Sequence, residues 1–571
     1  MAKFVEKSHK TWYLPDLKVL VEDGAKKYGE KTVFLDRKTP GQTAPREAVS
    51  FNRLLEEMNA MGTALLAKGM KGKKIAVIGE NRYAWILSYL AVVNGVGVIV
   101  PLDKELPAGE VATLLERSRA AMVIYSQSQE KKVLQAASDL ESIEYLVNMD
   151  GKESNWRNLS IHSILEEGKK LVEQGNRDYI DAKIDNQILA VLLFTSGTTG
   201  TAKGVMLSHR NITANVENMM KRMGLEAEDR LLSVLPIHHT YELSCEVLPT
   251  IYKGSTMVFC DGLKYIQKNL KEEDITLMLG VPLIFETFHK KIFAKMRMEG
   301  KEETLRRGLR LSARLQKLHI DISRKLFKEV YANLGDKIKV FISGASAIDP
   351  QVIRDFRAMG INMFQGYGLT ENAPIVAVNA DYCSRPESVG PAMPGTEIRI
   401  DDPDEEGIGE ILCRSESVML GYYEDPEETA KVLLPDGWLR TGDYGYVDKD
   451  GFVYITGRKK NVIITKNGKN IFPEELEYQL NKSDCIKESM VWGREDEKTG
   501  ETFITAEIVV DKEAVQGMSE EDIYALIKDA VEAVNHKTPP YKRIKKFNVR
   551  EAEFEKTTTQ KIMRHKVDIS E

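Results

Sequence analysis

Cysteine is scarce in this chain of 571 residues, and its five cysteines stand far apart. No two of them form a C-x-x-C pair, so the sequence offers neither a zinc site nor a disulfide framework. Unpaired cysteines are typical of a reducing compartment. We therefore expect a cytoplasmic protein.

Long apolar runs and an excess of one charge are also missing. The N-terminal MAKFVEKSHKTWYLPD has no apolar signal core. The longest mainly apolar stretch, LAVVNGVGVIVPL, is shorter than the roughly 20 residues that span a bilayer. The 80 basic and 86 acidic residues nearly balance at a net charge of −6, which argues against a nucleic-acid partner. A soluble protein is expected, with peripheral membrane contact left open.

Short β-branched runs alternate with helical segments through the first part of the chain. KIAVIGE (74–80) precedes NRYAWILSYLAVVNG, for which Asn81 is the predicted N-cap. The alternation recurs at ILAVLLF, STMVFC, TLMLGVP and KVFISG, which favours layers of parallel α/β structure. The charged stretch between Pro282 and Gly344 is interpreted as a solvated helical hairpin. Short antiparallel strands are predicted from about residue 391, and a smaller α+β unit from about residue 460.

One loop is rich in hydroxyls and glycines, FTSGTTGTAKGV at 194–205. It follows a predicted buried strand, and VMLSHRNITANV after it is predicted to be a helix. Backbone N–H groups, hydroxyls and a lysine in such a place favour a phosphate chain over a linker. The Walker pattern G-x-x-x-x-G-K-[ST] fails, because Ala202 and Gly204 stand at two required positions.

Three further motifs carry candidate chemistry. GYGLTE ends in Glu371 where a dinucleotide fold needs glycine, and a carboxylate beside a phosphate loop suits magnesium. In WLRTGDYGYVDKDGFVYITGRKKN, Asp443 is a candidate acceptor for ribose hydroxyls. Arg458 is a candidate donor, because its planar guanidinium presents several N–H groups in a fixed geometry. TTTQKIMRHKV places Lys561 and Arg564 among hydroxyls near the C-terminus. Taken singly, each motif is better explained as an ordinary turn or a solvated basic cluster.

Taken together and in this order, the motifs resemble the adenylate-forming superfamily of acyl-CoA synthetases, adenylation domains and beetle luciferases. TSGTTGTAKGVMLSH, YGLTE, GWLRTGD, GRKKN and NGKNIFPEELE carry the resemblance, which covers nearly the whole chain. GENRYAW, PLDKELP, LPIHHTYE and the helical insert before FISGASA are similar to bacterial long-chain fatty-acid–CoA ligases.

The resemblance implies a fold of class α/β with two domains. The N-terminal AMP-binding domain, 1–459, would consist of layered α/β subdomains plus a small β-barrel-like subdomain and hold the ATP and acyl sites. The small mobile α+β domain, 460–571, would carry the catalytic lysine. Lys460 would be the hinge, and Gly468 would line the tunnel for CoA.

The resemblance also implies a set of site residues and the cofactors ATP, Mg²⁺ and CoA. The residues expected to bind ATP or AMP are Thr195, Ser196, Gly197, Thr198, Thr199, Gly200, Lys203, Gly344, Ala345, Ser346, Gly366, Tyr367, Gly368, Thr370, Asp443 and Arg458. Those expected in catalysis are Lys561, Glu371, Thr370 and His239, with Thr195 and Glu371 reaching the metal.

This chain departs from the family pattern at a few of these positions. Members usually have proline where Ala202 stands, so a looser phosphate loop is expected. They often have glycine where Ala345 stands. His238, beside His239, is expected to lie at the surface.

The implied function is an AMP-forming acyl-CoA ligase for a medium- or long-chain fatty acid. An aryl or short-chain acid–CoA ligase and an acyl-acyl carrier protein synthetase are the alternatives. An amino-acid adenylation module is disfavoured, because the HHTYELS segment lacks the aspartate that pairs a substrate ammonium. A non-catalytic nucleotide-binding protein is disfavoured by the retained lysines, Glu371 and Asp443. The partners are small molecules, and a homodimer is left open.

Overall fold

The computed structural model describes residues 9–37, 45–151, 157–195, 202–464, 470–495, 502–557 and 562–567. Seven predicted site residues lie outside these ranges: Ser196, Gly197, Thr198, Thr199, Gly200, Gly468 and Lys561.

Helices and strands alternate along most of the described chain. The strands are β1 Thr32–Asp36, β2 Glu47–Ser50, β3 Lys74–Ile78, β4 Val98–Leu102, β5 Ala120–Tyr125, β6 Tyr145–Asn148, β7 Asn158–Ser160, β8 Leu189–Thr195, β9 Lys203–Ser208, β10 Arg230–Ser233, β11 Thr256–Phe259, β12 Leu277–Gly280, β13 Val340–Ser343, β14 Asn362–Gly368, β15 Ile375–Val378, β16 Gly390–Pro391, β17 Glu397–Asp401, β18 Gly409–Arg414, β19 Gly421–Tyr422, β20 Leu439–Val447, β21 Phe452–Arg458, β22 Ile463–Ile464, β23 Asn470–Ile471, β24 Ile486–Glu495, β25 Thr502–Val510 and β26 Ile544–Arg550. The helices are α1 Leu17–Tyr28, α2 Phe51–Ala67, α3 Tyr83–Val93, α4 Ala108–Ser118, α5 Glu130–Ala136, α6 Ile161–Glu173, α7 His209–Arg222, α8 Thr240–Glu242, α9 Leu248–Lys253, α10 Ile266–Glu272, α11 Pro282–Met298, α12 Glu302–Gln316, α13 Ser323–Leu326, α14 Lys328–Leu334, α15 Pro350–Ala358, α16 Pro426–Val432, α17 Pro473–Leu480 and α18 Glu520–Lys537.

The chain divides into two compact units. The first comprises Met1–Glu397, Arg414–Leu439 and Asp450–Phe452, and the second comprises Ile398–Cys413, Arg440–Lys449 and Val453–Glu571. The boundary predicted between residues 459 and 460 stays a prediction.

Two eight-stranded sheets form the frame of the first unit. Their strand orders are β15-β14-β13-β12-β10-β11-β1-β2 and β19-β9-β8-β4-β3-β5-β6-β7. Strand β3 is parallel to β4 and β5, and β13 is parallel to β12 and β14. The predicted α/β class is therefore confirmed.

The central strands are apolar along their whole length because helices cover both faces of a parallel sheet. All six residues of β5 are buried. In the other sheet the core continues into the helical insert, where Phe285 on α11 packs 5.0 Å from Phe341 on β13, ring centre to ring centre. The insert is thus a set of helices anchored in the core on one side, and the expectation of a solvated hairpin holds only for its outer side.

Two local predictions were wrong. Helix α3 begins at Tyr83 with Arg82 at its N-cap. The Asn81 amide nitrogen instead donates to the Ser233 hydroxyl at 2.9 Å and to a carbonyl of the loop that follows β10. The segment VMLS belongs to strand β9, and helix α7 begins only at His209, after a capping box between Ser208 and Asn211.

The second unit is a smaller α+β assembly. Strands β21, β20, β18 and β17 form a sheet in that order, and β24, β25 and β26 form a three-stranded sheet. Helix α18 packs Ile527 and Val531 into a core with Val491 and Ala506. Among the described residues of the whole chain, every helix is too short or too polar to cross a bilayer.

Candidate active site

The strands on either side of the predicted phosphate loop pair with each other in the first unit. Strands β8 and β9 are antiparallel, and Thr195 lies opposite Lys203. Immediately before β9, the Ala202 carbonyl accepts from the Arg117 guanidinium at 2.6 Å, and the guanidinium lies 5.4 Å from the Phe194 ring centre. Ala202, where the family usually has proline, is therefore tied to helix α4. The looser loop expected over 196–201 lies outside the described residues.

Tyr422 connects two of the predicted site residues. Its hydroxyl donates to the Glu371 carboxylate at 2.9 Å, and the Lys203 ammonium lies 4.8 Å from its ring centre. Burial, followed by the nearby Glu371 carboxylate, raises the pKa of Tyr422. The phenol therefore keeps its proton and orients the Glu371 carboxylate by donating to it.

A second acidic residue holds Lys203 in place. The Lys203 ammonium lies 2.5 Å from a carboxylate oxygen of Glu428, on helix α16. Hydrogen bonds from Lys203 and Lys431 lower the pKa of Glu428 to about 2. The Glu428 carboxylate is therefore ionised at neutral pH and fixes the direction of the Lys203 side chain.

The predicted adenine wall lies at one edge of the first sheet. Strands β13 and β14 are parallel with Ser343 opposite Gln365, so the residues after β13 lie beside the end of β14. Those two segments hold Gly344, Ala345 and Ser346, and Gly366, Tyr367 and Gly368. The short 3₁₀ turn Thr370–Asn372, with Glu371 in it, follows directly.

Two positions of this wall have strict backbone demands. A Cβ on Gly344 would lie 2.7 Å from the Tyr241 ring, so only glycine fits there without movement. Ala345 has a φ of +72°, in the left-handed region that favours glycine. This conformation explains why glycine is common at that position in the family that the motifs resemble.

The two adjacent histidines pack against each other, and one of them occupies a different environment from that expected. Their ring centres lie 4.2 Å apart, and His239 immediately precedes helix α8. The side chain of His238 is only 10% exposed and lies 3.6 Å from Asp103. Burial, and then the neighbouring His239, lower the pKa of His238. The prediction of a surface position for His238 was therefore wrong.

In the second unit, Asp443 and Arg458 form one pair. They lie opposite each other on the antiparallel strands β20 and β21, and the Arg458 Nε lies 2.9 Å from an Asp443 oxygen. The Asp443 side chain is 5% exposed. Its backbone N–H donates to the Thr441 hydroxyl at 3.1 Å. The carboxylate is thus held in a fixed orientation.

The predicted hinge residue follows directly after β21. Lys460 lies in the 3₁₀ turn Lys459–Asn461 of the second unit. Burial, followed by the charge of Arg458, lowers the pKa of Lys460. Its role as a hinge stays a prediction.

The structure thus brings Thr195, Lys203 and Glu371 together in the first unit, and Asp443 and Arg458 in the second. Sequence reasoning missed Tyr422, Glu428 and Arg117. All three lie in charged or aromatic segments without a loop signature, and they reach the site only through packing. For Tyr422 and Glu428 the available signal was the acidic, tyrosine-containing run GYYEDPEE, which precedes the GWLRTGD motif; for Arg117 the sequence offered none.

Models of known families match most of the chain. The family described as AMP-binding enzyme matches residues 21–423, and the one described as AMP-binding enzyme C-terminal domain matches residues 460–569.

Curated relatives match over most of their own length. The chain is 28% identical to a long-chain-fatty-acid–CoA ligase of Bacillus subtilis, over 96% of this chain and 94% of the relative. It is 26% identical to the chloroplastic long-chain-fatty-acid–[acyl-carrier-protein] ligase AEE15 of Arabidopsis thaliana, over 89% and 78%. It is 28% identical to an indoleacetate–CoA ligase of Aromatoleum aromaticum, over 83% and 87%.

Solved structures share the fold. The anthranilate CoA ligase AuaEII in complex with anthranoyl-AMP aligns with a TM-score of 0.77 at 21% identity, over 98% of this chain and 97% of that one. ATP-bound MatB from Rhodopseudomonas palustris aligns with a TM-score of 0.74 at 25% identity, over 97% and 98%. With the phosphate-loop strands, the Glu371 turn and both family models in agreement, the chain belongs to the AMP-binding, adenylate-forming enzyme family.

Proposed function

We propose that this protein is an ATP-dependent ligase that activates a medium- or long-chain fatty acid as acyl-AMP and transfers the acyl group to CoA. The observation that carries the proposal is the contact of Lys203 and Glu371 with the same side chain, Tyr422. A cation for phosphate oxygens and a carboxylate for a metal are thereby both held by one tyrosine, which supports the charge arrangement that nucleotide activation requires.

The first half-reaction joins the acid to the nucleotide. A carboxylate oxygen attacks the α-phosphorus of ATP, and the bond to the departing diphosphate breaks. Negative charge accumulates on the phosphate oxygens, so cations that contact them stabilise the transition state more than the ground state. Lys203 contacts the phosphates that leave as diphosphate, and Lys561 contacts the α-phosphate. No general base is needed, because the acid is already ionised.

The residues present fit a magnesium ion. Glu371 offers a carboxylate, one oxygen of which accepts from Tyr422, and Thr195 offers a hydroxyl at the end of β8. Hard oxygen ligands of this kind are the ones that magnesium prefers. When bound, the ion supplies positive charge to the phosphates.

Asp443 and Arg458 fix the nucleoside. The Asp443 carboxylate accepts from the ribose hydroxyls, and Arg458 keeps that carboxylate oriented. Tyr367 covers adenine, Thr370 contacts the α-phosphate, and His239 flanks the acyl carboxylate.

The second half-reaction releases the product. The CoA sulfur attacks the acyl carbonyl, and AMP leaves with the electron pair of the broken anhydride bond. Rotation of the domain 460–571 about Lys460 would withdraw Lys561 and bring Gly468 to the pantetheine, as in the family that the motifs resemble.

Two alternatives are favoured by particular relatives. The similarity to an indoleacetate–CoA ligase supports an aryl acid as substrate, and the similarity to AEE15 supports an acyl carrier protein as acceptor. Diphosphate release, measured over fatty acids of increasing chain length and over indoleacetate, with CoA or with acyl carrier protein, separates the candidates. Preference for indoleacetate or for the carrier protein would overturn the proposal.

The half-reactions give a test of Lys561. We predict that Lys561→Ala abolishes adenylate formation but largely spares thioester formation from supplied acyl-AMP, because the proposed rotation withdraws Lys561 from the α-phosphate before the second step. Single-turnover assays of each half-reaction measure the two effects. Equal loss of both would sink the assignment.

A further inference from the structure

The helical insert carries a charge opposite to that of the whole protein. Residues 290–328 contain thirteen lysines and arginines and four acidic residues, a net charge of +9 in a chain whose net charge is −6. The remainder of the chain is therefore strongly acidic. An asymmetry of this size orients a protein towards an anionic surface.

Exposed apolar side chains are concentrated in the same segment. Of the seventeen large apolar side chains that are exposed among the described residues, six lie between 283 and 326. Isolated exposed leucines are ordinary, but a cluster indicates an interaction surface. The largest exposed fractions around the end of α12 are 48% for Leu311, 67% for Leu318 and 50% for Ile320.

The end of α12 brings these side chains together with basic ones. Leu305, Leu309 and Ser312 form the buried face of the helix. Leu311 and Arg314, three residues apart, therefore share the outward face.

The turn after α12 extends the same surface. The backbone N–H groups of Leu318 and Ile320 both donate to the Leu315 carbonyl, which keeps this turn against the helix end. We call Leu311, Arg314, Lys317, Leu318, Ile320 and Lys325 the α12 patch.

The cations of the patch are available to an external anion. Earlier on α12, Arg306 and Arg307 are bound by Glu302 and Glu303. In the part of the chain that the structure describes, by contrast, Arg314, Lys317 and Lys325 enter no ion pair, and all three are exposed.

We propose that the α12 patch docks this protein onto an anionic phospholipid bilayer. The leucines and the isoleucine would enter the headgroup region, while the cations contact lipid phosphates. This combination favours a bilayer over a nucleic acid, because a phosphate backbone offers no apolar layer to cover three large side chains. The proposal goes beyond the acid-activating function, since binding needs neither ATP nor an acid.

The test is co-sedimentation of the full chain with vesicles of phosphatidylglycerol and phosphatidylcholine, compared with phosphatidylcholine alone. We expect binding only to the anionic vesicles, and weaker binding as salt rises. Each cation near the membrane surface contributes about fivefold to the vesicle partition coefficient. Replacing Arg314, Lys317 and Lys325 together by Gln should therefore lower that coefficient about 100-fold. Leu311→Ser with Leu318→Ser should weaken it at least about tenfold.

A matched control lies on helix α5. Leu134 is 43% exposed, so Lys131→Gln with Leu134→Ser removes the same chemistry outside the patch and should leave binding unchanged. Circular dichroism and the melting temperature check that each variant is folded. No binding by the unchanged protein, or equal binding by patch and control variants, would overturn the proposal. The proposal would also be overturned if the patch variants lost turnover with an acyl carrier protein while still binding vesicles. That result would assign the patch to the carrier protein.

Discussion

At the scale of single residues, the site depends on side chains that tie charged groups to each other. Tyr422 joins Glu371 to Lys203, and Glu428 holds the same lysine from the other side. Such contacts restrict the side chains and so cost conformational entropy on folding. In return, the charged groups have to move less when the reaction occurs.

Removing one hydroxyl tests the Tyr422 bridge. Tyr422→Phe keeps the buried ring but deprives the Glu371 carboxylate of its donor. A hydrogen bond to a charged group contributes about 1.5–3 kcal/mol, so we expect the Mg²⁺ concentration for half-maximal adenylation to rise about tenfold or more. Titration of the adenylation rate with Mg²⁺ measures the change.

The matched control is the next residue. The Lys74 ammonium lies 5.1 Å from the Tyr423 ring centre, and the hydroxyl that donates to Glu371 is that of Tyr422, so Tyr423→Phe should behave as the unchanged protein. Equal effects of the two substitutions would show that the Tyr422 hydroxyl has no special role.

Asp443 gives a sharper test, because its proposed partner is a defined pair of hydroxyls. The unchanged enzyme should use ATP better than 2′-deoxy-ATP. Asp443→Asn should raise the KM for ATP about 10- to 100-fold and lose most of this discrimination, since the charged acceptor is gone. If Asp443→Asn still discriminates fully between the two nucleotides, the ribose contact is made elsewhere.

A buried acidic pair gives a prediction on pH. Glu242 and Glu246 have no exposed surface, and burial together with the neighbouring Glu242 raises the pKa of Glu246 well above its ordinary value of 4.5. The folded state therefore keeps a proton that the unfolded chain releases. This contribution to stability is complete below about pH 4.5 and is lost as the pH rises, by about 1.4 kcal/mol per pH unit.

Glu246→Gln removes that titration. Its free energy of unfolding should fall less steeply than that of the unchanged protein between pH 5 and pH 8, in denaturant titrations. Glu166→Gln, at a side chain that is 59% exposed, is the control. Parallel pH profiles for the unchanged protein and Glu246→Gln would contradict the prediction.

At the scale of elements, strand ends and short turns place the site. The β8–β9 pair frames the phosphate loop, and the parallel strands β13 and β14 bring two glycine-containing segments to one edge. In the second unit, the 3₁₀ turn Arg564–Lys566 is held by Arg564, which donates to the Glu477 carboxylate and to the Val491 carbonyl at 2.8 Å.

The Arg564 contacts predict a role in positioning Lys561, three residues earlier. Arg564→Ala takes the cation from the Glu477 carboxyl, whose side chain is 12% exposed, and leaves it the Val491 N–H as a donor. Losing a hydrogen bond to a charged group costs about 1.5–3 kcal/mol. We expect lower stability of the second unit and a loss of adenylate formation, with thioester formation from supplied acyl-AMP less affected. Half-reaction assays and thermal unfolding measure both.

Lys566 supplies the comparison for that turn. It pairs with Glu555, whose side chain is 66% exposed, so Lys566→Ala should change neither half-reaction appreciably. An Arg564→Ala variant that adenylates normally would refute the positioning role.

At the scale of the whole molecule, the α/β class and the candidate phosphate and metal residues could be predicted from the sequence. Buried parallel strands read as apolar runs, and the glycine- and hydroxyl-rich loops stand beside them in the chain. Predictions failed where a polar side chain had a choice of partners. Asn81 binds the segment after β10 and does not cap α3, and the His238 side chain is 10% exposed and packs beside Asp103.

The sequence by itself determined the alternation of strands and helices and the acidic and basic residues available for the site, because these follow from local pattern and residue type. It also predicts phosphate binding by the loop that Thr195 and Lys203 flank. Only the tertiary structure decided that Tyr422 links Lys203 to Glu371, that Glu428 restrains Lys203, and that leucines and cations meet at the end of α12. The physical reason is distance along the chain. Glu371 and Tyr422 are far apart in sequence. A residue pattern within one strand or helix cannot predict a contact that forms only when separate elements pack together.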